Sequence, residues 1–344
     1  MTTTRRAFVS ELLTGALLSL AAASLALADN PARIKLATLA PKGSAYHRVL
    51  QEIGEAYRAA EGAGSSFTIY TDGTQGGEAD VVRRMRIGQL NAAMMTAVGL
   101  SEIDPGISAL QKTPLLFHTS DELEYVGRAL RPELERTFRD KGFVVVLWAE
   151  AGWVRFFSKT PAKLPSDFKD RRLFAWAGDA EQVELMKRFG YRPVVLETAD
   201  IIPGLQTGLI DTVALTPMWA LATQVDHLAP YMIDIKWAPI AGALIISRDA
   251  WDKMTPAARA AVEQAAARGA EELRSYQQRA DTDAIAAMQK RGLHVQQLTP
   301  DEELIWQNFA QQVYPSIRGH MVPAETFDKC QRLVAEYRAK PKTP

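Results

Sequence analysis

Ile34-Lys35-Leu36-Ala37-Thr38-Leu39 alternates in the manner of a strand with one buried face, and it decides the reading of everything after it. Pro41-Lys42-Gly43-Ser44 supplies a turn, and Ala45 to Glu61 has helical spacing of its apolar residues. Ser66 to Tyr70 reads as a second strand. Thr71-Asp72-Gly73-Thr74-Gln75-Gly76-Gly77 is a loop, Glu78 to Ile87 a helix, and Ala92 to Val98 a short buried strand. This β-loop-α-β rhythm predicts an α/β fold, with a mostly parallel sheet covered by helices on both faces.

The rhythm repeats further on. Phe143 to Ala149 and Trp153 to Phe157 read as strands, followed by a connection over Pro161 to Asp170 and a strand over Arg172 to Trp176. Asp179 to Phe189 reads as a helix, Pro193 to Leu196 as a strand, Ile201 to Thr207 as a helix closed by Gly208, and Thr212 to Leu215 as a strand. This second stretch predicts a second lobe, and Ala243 to Ser247 is a late strand placed to return to the first sheet. Pro256 to Lys290 is rich in helix formers and would run about 50 Å at 1.5 Å per residue, long enough to span both lobes. Its one interior glycine, Gly269, marks either a kink or a tolerated interior position.

Composition removes several function classes. Forty basic and 40 acidic side chains give no net charge, which argues against a general nucleic-acid binder. The single cysteine, Cys330, leaves no intrachain disulfide framework and no CxxC metal site, and it reads as a packing residue of a C-terminal helix. His47, His118, His227, His294 and His320 are scattered without an HExxH pairing, and no metal site or cofactor is expected. At the N-terminus, Arg5 and Arg6 precede an apolar run from Leu12 to Leu27 that ends in Ala26-Leu27-Ala28. This predicts a signal peptide over residues 1–28 and a periplasmic mature protein. Thr4-Arg5-Arg6-Ala7-Phe8 resembles a twin-arginine signal; an ordinary secretory signal with two arginines is the alternative.

Catalytic signatures are sparse. Gly73 to Gly77 lacks the GxxxxGK[ST] order and reads as a tight turn before a helix. Asp179 and Glu181 stand at a helix start, where capping explains them better than acid/base work. No G-x-S-x-G elbow is present, and Ser44 near His47 is the sole serine–histidine proximity in the proposed cleft loop. An exported hydrolase is the minor alternative to a binding protein. Arg83-Arg84-Met85-Arg86 reads as a solvated helix face or a docking patch for a membrane partner.

Four segments carry a family resemblance. Gly73-Thr74-Gln75-Gly76-Gly77-Glu78 looks like NGQLGGE, Thr113-Pro114-Leu115-Leu116-Phe117 like LPFLF, Asp167-Phe168-Lys169-Asp170 like DLKG, and Ile202 to Asp211, with Leu205-Gln206-Thr207-Gly208, like YTALQTGVVDG. In this order they resemble the solute-binding proteins of TRAP (tripartite ATP-independent periplasmic) transporters. The resemblance implies a two-lobed periplasmic-binding-protein fold with hinge strands and a long lobe-spanning helix. It also implies a ligand held in the interlobe cleft, no catalysis, and delivery to TRAP membrane subunits. The expected division is residues 29–151 plus about 240–270 for lobe I and 152–239 plus about 271–320 for lobe II. Residues 321–344 form a C-terminal helix and tail. Some relatives pair through a swapped C-terminal helix, so a homodimer through residues 324–338 is a candidate assembly. A helical-repeat protein is a further candidate partner.

The chain departs from that family at its most telling positions. The run usually written DLKGLKIRVP carries an arginine that pairs a ligand carboxylate; here the position is Phe174. A second family arginine falls on Val154, with Arg155 one residue on, and the ENP asparagine falls on Thr216. An apolar wall cannot offset a buried carboxylate's desolvation, which costs several kcal/mol, whereas burying apolar ligand surface yields about 25 cal/mol per Å². The expected ligand wall is Tyr46, Val98, Trp153, Val154, Arg155, Phe174, Trp176, Thr216, Met218, Trp219 and Trp237, and the expected ligand is hydrophobic or amphipathic. The alternative is a small organic acid held by a displaced arginine, Arg155 through a bulge or Arg172 from two residues away on the face of Phe174.

Overall fold

The computed structural model describes residues 33–340; the expected signal peptide and the last four residues lie outside the described residues. Among the described residues, eleven strands form two sheets. The first contains β1 (Arg33–Thr38), β2 (Ser66–Tyr70), β3 (Ala92–Thr96), β4 (Phe143–Trp153) and, late in the chain, β10 (Pro239–Ser247). Its order is β2-β1-β3-β10-β4. The second contains β5 (Arg155–Ser158), β6 (Arg172–Trp176), β7 (Arg192–Leu196), β8 (Thr212–Leu215), β9 (Tyr231–Ile233) and β11 (His294–Gln296), in the order β11-β9-β5-β8-β6-β7. The two-lobed α/β architecture is therefore as the sequence predicts.

The sheets are mixed rather than mostly parallel. β1 pairs in parallel with β2 and β3, but β10 is antiparallel to both β3 and β4, and β5 is antiparallel to both β8 and β9. The cause is the route of the chain. It passes between the sheets as extended strand, from β4 into β5 and from β9 into β10, and each crossing strand enters its new sheet reversed. Trp153 still pairs with Pro239 in the first sheet. One residue on, Val154 N donates to Ala238 O at 2.8 Å and Trp237 N donates to Val154 O at 3.1 Å. The two connections thus run as one hydrogen-bonded ribbon, and the single strand expected over Trp153 to Phe157 is split at Val154. Gly152, at φ +88°, makes the bend; a Cβ there would sit 2.5 Å from Asp281 Oδ1.

The third link is the helix Pro256–Gln289, opened by Thr255, whose side chain accepts from Ala258 N. Val262, Ala265 and Leu273 pack in the core under the first sheet, and Ile285 and Met288 pack with the second. The helix runs on through Gly269, and that position is not neutral. It lets this helix approach the helix Ala45–Glu61, with Val49 against it. The helix Pro300–Ile317 also bridges: Trp306 packs with Phe156 and Phe168, while Val313 and Ile317 join the first sheet's core. The C-terminal helix Ala324–Ala339 buries Phe327, Cys330 and Val334. It is tied down by Arg338, whose guanidinium donates to Glu122 and to Leu116 O. Among the described residues no helix is long and apolar enough to cross a membrane.

Candidate functional site

The two sheets and the Pro300–Ile317 helix enclose a cavity of about 320 Å³. The first sheet contributes the C-terminal ends of β1 and β3, including Thr38, Met94 and Thr96. The strand expected to reach Val98 stops at Thr96, because the Thr96 hydroxyl accepts from Val98 N and starts the helix Ala97–Ser101. Val98 still lines the cavity from that helix. Tyr46 lines it from the start of Ala45–Glu61, its hydroxyl donating to Glu150 O at 2.6 Å. Burial holds the Tyr46 phenol well above its ordinary pKa, so it stays a neutral donor.

The second sheet contributes Phe174 and Trp176 of β6, with ring centroids 4.7 Å apart and edge to face. Phe174 is at once core and wall, since it also packs with Phe157 and Val213. Val154, Thr216, Met218, Trp219 and Trp237 line the cavity as well. Thr216 stands before Pro217, at the opening of the helix Pro217–Ala222 that carries Met218 and Trp219.

Two expected wall residues are elsewhere. The Trp153 ring is buried in the first sheet's core, with Lys236 Nζ 5.5 Å from its centroid. Arg155 is 3 % exposed, and its Nε donates to Asp234 Oδ1 at 3.4 Å. Strand alternation explains the exclusion: Val154 and Phe156 take the cavity face, so the residue between them takes the other. No bulge re-aims Arg155, and β5 pairs with β8 in unbroken register. Arg172 is also outside, paired with Asp211 at 3.1 Å. Among the described residues, no arginine lines the cavity.

Around the expected Trp237, four aromatic residues not among the expected wall residues complete the wall. Phe156, Phe168, Trp237, Trp306 and Phe309 all line the cavity. Phe156 stacks on Trp306 with centroids 5.5 Å apart, and Trp237 stacks on Phe309 at 6.2 Å. Their neighbours' polar handles are taken by backbone: Trp306 Nε1 donates to Lys163 O, and Tyr191 OH to Pro165 O. At Trp306 and Tyr191, ring faces rather than donors are left for a ligand. Trp306, Phe309, Val313 and Ile317 recur at helical spacing, a stripe that the sequence displays.

Three charged residues reach the wall, each already engaged. The Glu78 carboxylate accepts from Thr96 N, Thr96 Oγ1 and Gly99 N at 2.6–2.9 Å, and burial pushes its pKa up. Lys112 Nζ lies 2.8 Å from Asp179 Oδ1. Asp179 also caps the helix Ala180–Arg188 by accepting from Gln182 N, so the expected capping role holds with an ion pair added. Beside them, Gln111 Oε1 is buried with no hydrogen-bond partner.

Other chemistry finds no support here. Ser44 Oγ accepts from His47 N as a helix cap, and His47 Nδ1 accepts from Gly43 N, so the imidazole does not activate the serine. His118 is exposed in a connection, whereas His227 is exposed on the one-turn helix Val225–Leu228 rather than in a connection. Among the described residues, no group of three or more His, Cys, Asp or Glu is placed to hold a metal ion.

Residues 36–319 match the family described as bacterial extracellular solute-binding protein, family 7, or DctP. The C4-dicarboxylate-binding periplasmic protein DctP of Rhodobacter capsulatus is 22% identical over 257 residues, which is 72% of this chain and 75% of that protein. A TRAP periplasmic solute binding protein from Xanthobacter autotrophicus Py2, solved with bound beta-D-galacturonate, superposes with a TM-score of 0.78 at 18% identity. The match covers 88% of this chain and 99% of that one. DctP7 of Bordetella pertussis, an extracytoplasmic solute receptor binding pyroglutamic acid, gives the same TM-score, identity and coverage. With the cavity enclosed between two lobes and the family match spanning both sheets, the chain belongs to the DctP family of bacterial extracellular solute-binding proteins, which are receptors and not enzymes.

Proposed function

We propose that this chain is the extracytoplasmic receptor of a TRAP-type transporter and that it takes a hydrophobic or amphipathic small molecule into the interlobe cavity, for delivery to the membrane subunits. The observation that carries the ligand class is the replacement of guanidinium by ring faces at the wall. Phe174, Trp176, Trp237, Trp306 and Phe309 line the cavity, while Arg155 and Arg172 are paired with Asp234 and Asp211. Apolar surface buried there would contribute about 25 cal/mol per Å², which is the energy available to hold the lobes closed. Residues 29–151 with about 240–270 act as one lobe and 152–239 with about 271–320 as the other, export removing residues 1–28.

The solved relatives favour a second reading, because those named above hold galacturonate and pyroglutamic acid. An acid held in this cavity by a guanidinium would require Arg155 or Arg172 to leave its carboxylate partner. Native purification from the periplasm, solvent extraction and mass spectrometry separate the two. A stoichiometric lipid-like or aromatic compound supports the apolar reading, and a stoichiometric small carboxylate overturns it.

A further inference from the structure

We propose that the solute carries no net charge, because the ion pair at the cavity wall, Lys112 with Asp179, is already neutralised within the protein. The proposal rests on this cavity being the solute site and narrows the ligand class given above.

Lys112 follows the turn Pro105–Leu110, which packs in the first sheet's core. Asp179 stands between β6 and the helix Ala180–Arg188 of the second. Their side chains, 7% and 6% exposed, meet at 2.8 Å, so the pair ties one lobe to the other at the cavity wall. Glu181 Oε2, at 3.8 Å, is the other carboxylate near Lys112, and it is mostly solvated.

A carboxylate or sulfonate in the cavity would compete with Asp179 for the ammonium and leave a buried carboxylate without a partner. A cationic solute would compete with Lys112 in the same way. Removing one member of a buried pair is strongly unfavourable, because the remaining charge has lost both water and partner. The Glu78 oxygens are filled by Thr96 and Gly99, and burial favours the neutral acid there. Uncharged polar side chains at the wall, Thr216 and Gln182, suit a neutral hydroxyl or N–H.

Two dyes with one skeleton test this. N-phenyl-1-naphthylamine is neutral, and 8-anilinonaphthalene-1-sulfonate adds an anion; both brighten in apolar surroundings. The folded wild-type receptor should bind the neutral dye at least about tenfold more tightly than the sulfonate. The double substitution Asp179→Asn, Glu181→Gln keeps a capping side chain at 179 but leaves Lys112 unpaired, and it should narrow that ratio to about threefold or less. Its melting curve confirms folding, and the wild-type contrast stands without it. Equal binding of both dyes to wild type overturns charge exclusion but leaves the apolar reading intact. A preference for the neutral dye that is unchanged in a folded double variant shows steric rather than charge exclusion, which also overturns the proposal. Binding of neither dye overturns the apolar reading itself.

Discussion

Arg155 Nε lies 3.4 Å from Asp234 Oδ1, on the opposite side of β5 from the cavity that its neighbours Val154 and Phe156 line. Burial lowers the guanidinium pKa, and the carboxylates of Asp281 and Asp234 oppose that shift. The residue that one register of the sequence would place on a ligand is instead part of the crossing between the sheets, where its Nη1 also donates to Trp153 O.

Arg155→Met should therefore act on stability and not on binding. Asp234 is exposed, so losing its pair alone costs about 1 kcal/mol, and Asp281, a largely buried carboxylate, loses a compensating cation as well. Urea denaturation should show that loss, while the dissociation constant for N-phenyl-1-naphthylamine stays within about twofold of wild type, as expected for an uncoupled site. A tenfold weaker dye affinity in a folded variant would mean that Arg155 reaches the cavity.

The approach of the two long helices gives a second prediction. A Cβ on Gly269 would lie 2.3 Å from Val49 Cγ1, well inside van der Waals contact. Gly269→Ala should cost about 2 kcal/mol through overpacking, despite alanine's better helix propensity. Val49→Ala alone should cost about 1–3 kcal/mol. The double variant should be more stable than the sum of the two losses predicts, because each change makes room for the other. A double-mutant cycle by urea denaturation measures this coupling, and strict additivity would rule out the contact as the reason for glycine.

Elements with a local signature were legible in the sequence. β6 over Arg172–Trp176, β8 over Thr212–Leu215 and the helix Ile201–Thr207 with Gly208 after it fall where alternation and capping put them. The missed features depend on contacts distant in sequence. Trp153 and Val154 are adjacent, yet one packs in the core and the other lines the cavity, because the chain changes sheets between them. The direction of β10 is likewise set by its route from the other lobe. The stripe Trp306, Phe309, Val313, Ile317 was visible as an amphipathic face, but nothing local says that it faces a ligand cavity rather than a core.

Gln111 Oε1 gives a third prediction. A buried carbonyl without a donor forfeits the hydrogen bond it makes in the unfolded chain, so an apolar side chain of similar shape should stabilise the ligand-free protein. Gln111→Met should raise the ligand-free Tm by about 2 °C, equivalent to about 1 kcal/mol. A lower Tm would mean that the carbonyl already has a partner in solution.

Glu150 gives the fourth, at the crossing of the lobes. Its carboxylate accepts from Ser120 Oγ at 2.9 Å, and its backbone oxygen holds the Tyr46 hydroxyl. Burial pushes the carboxyl up to about 7, with Asp281 adding to the rise and Ser120 and Lys236 opposing it. The folded protein then holds this proton more tightly than the unfolded chain, whose carboxyl sits near its ordinary 4.5. The group costs nothing below the unfolded value. Its cost grows as pH rises from about 4.5 towards 7 and is complete above that. Glu150→Gln keeps an acceptor for Ser120 but cannot ionise. Its Tm should match wild type at pH 4 and exceed it at pH 8 by about 2 °C or more. Thermal melts of both proteins across that range decide the matter, and a variant whose advantage is the same at pH 4 and pH 8 would show that Glu150 is not the titrating group.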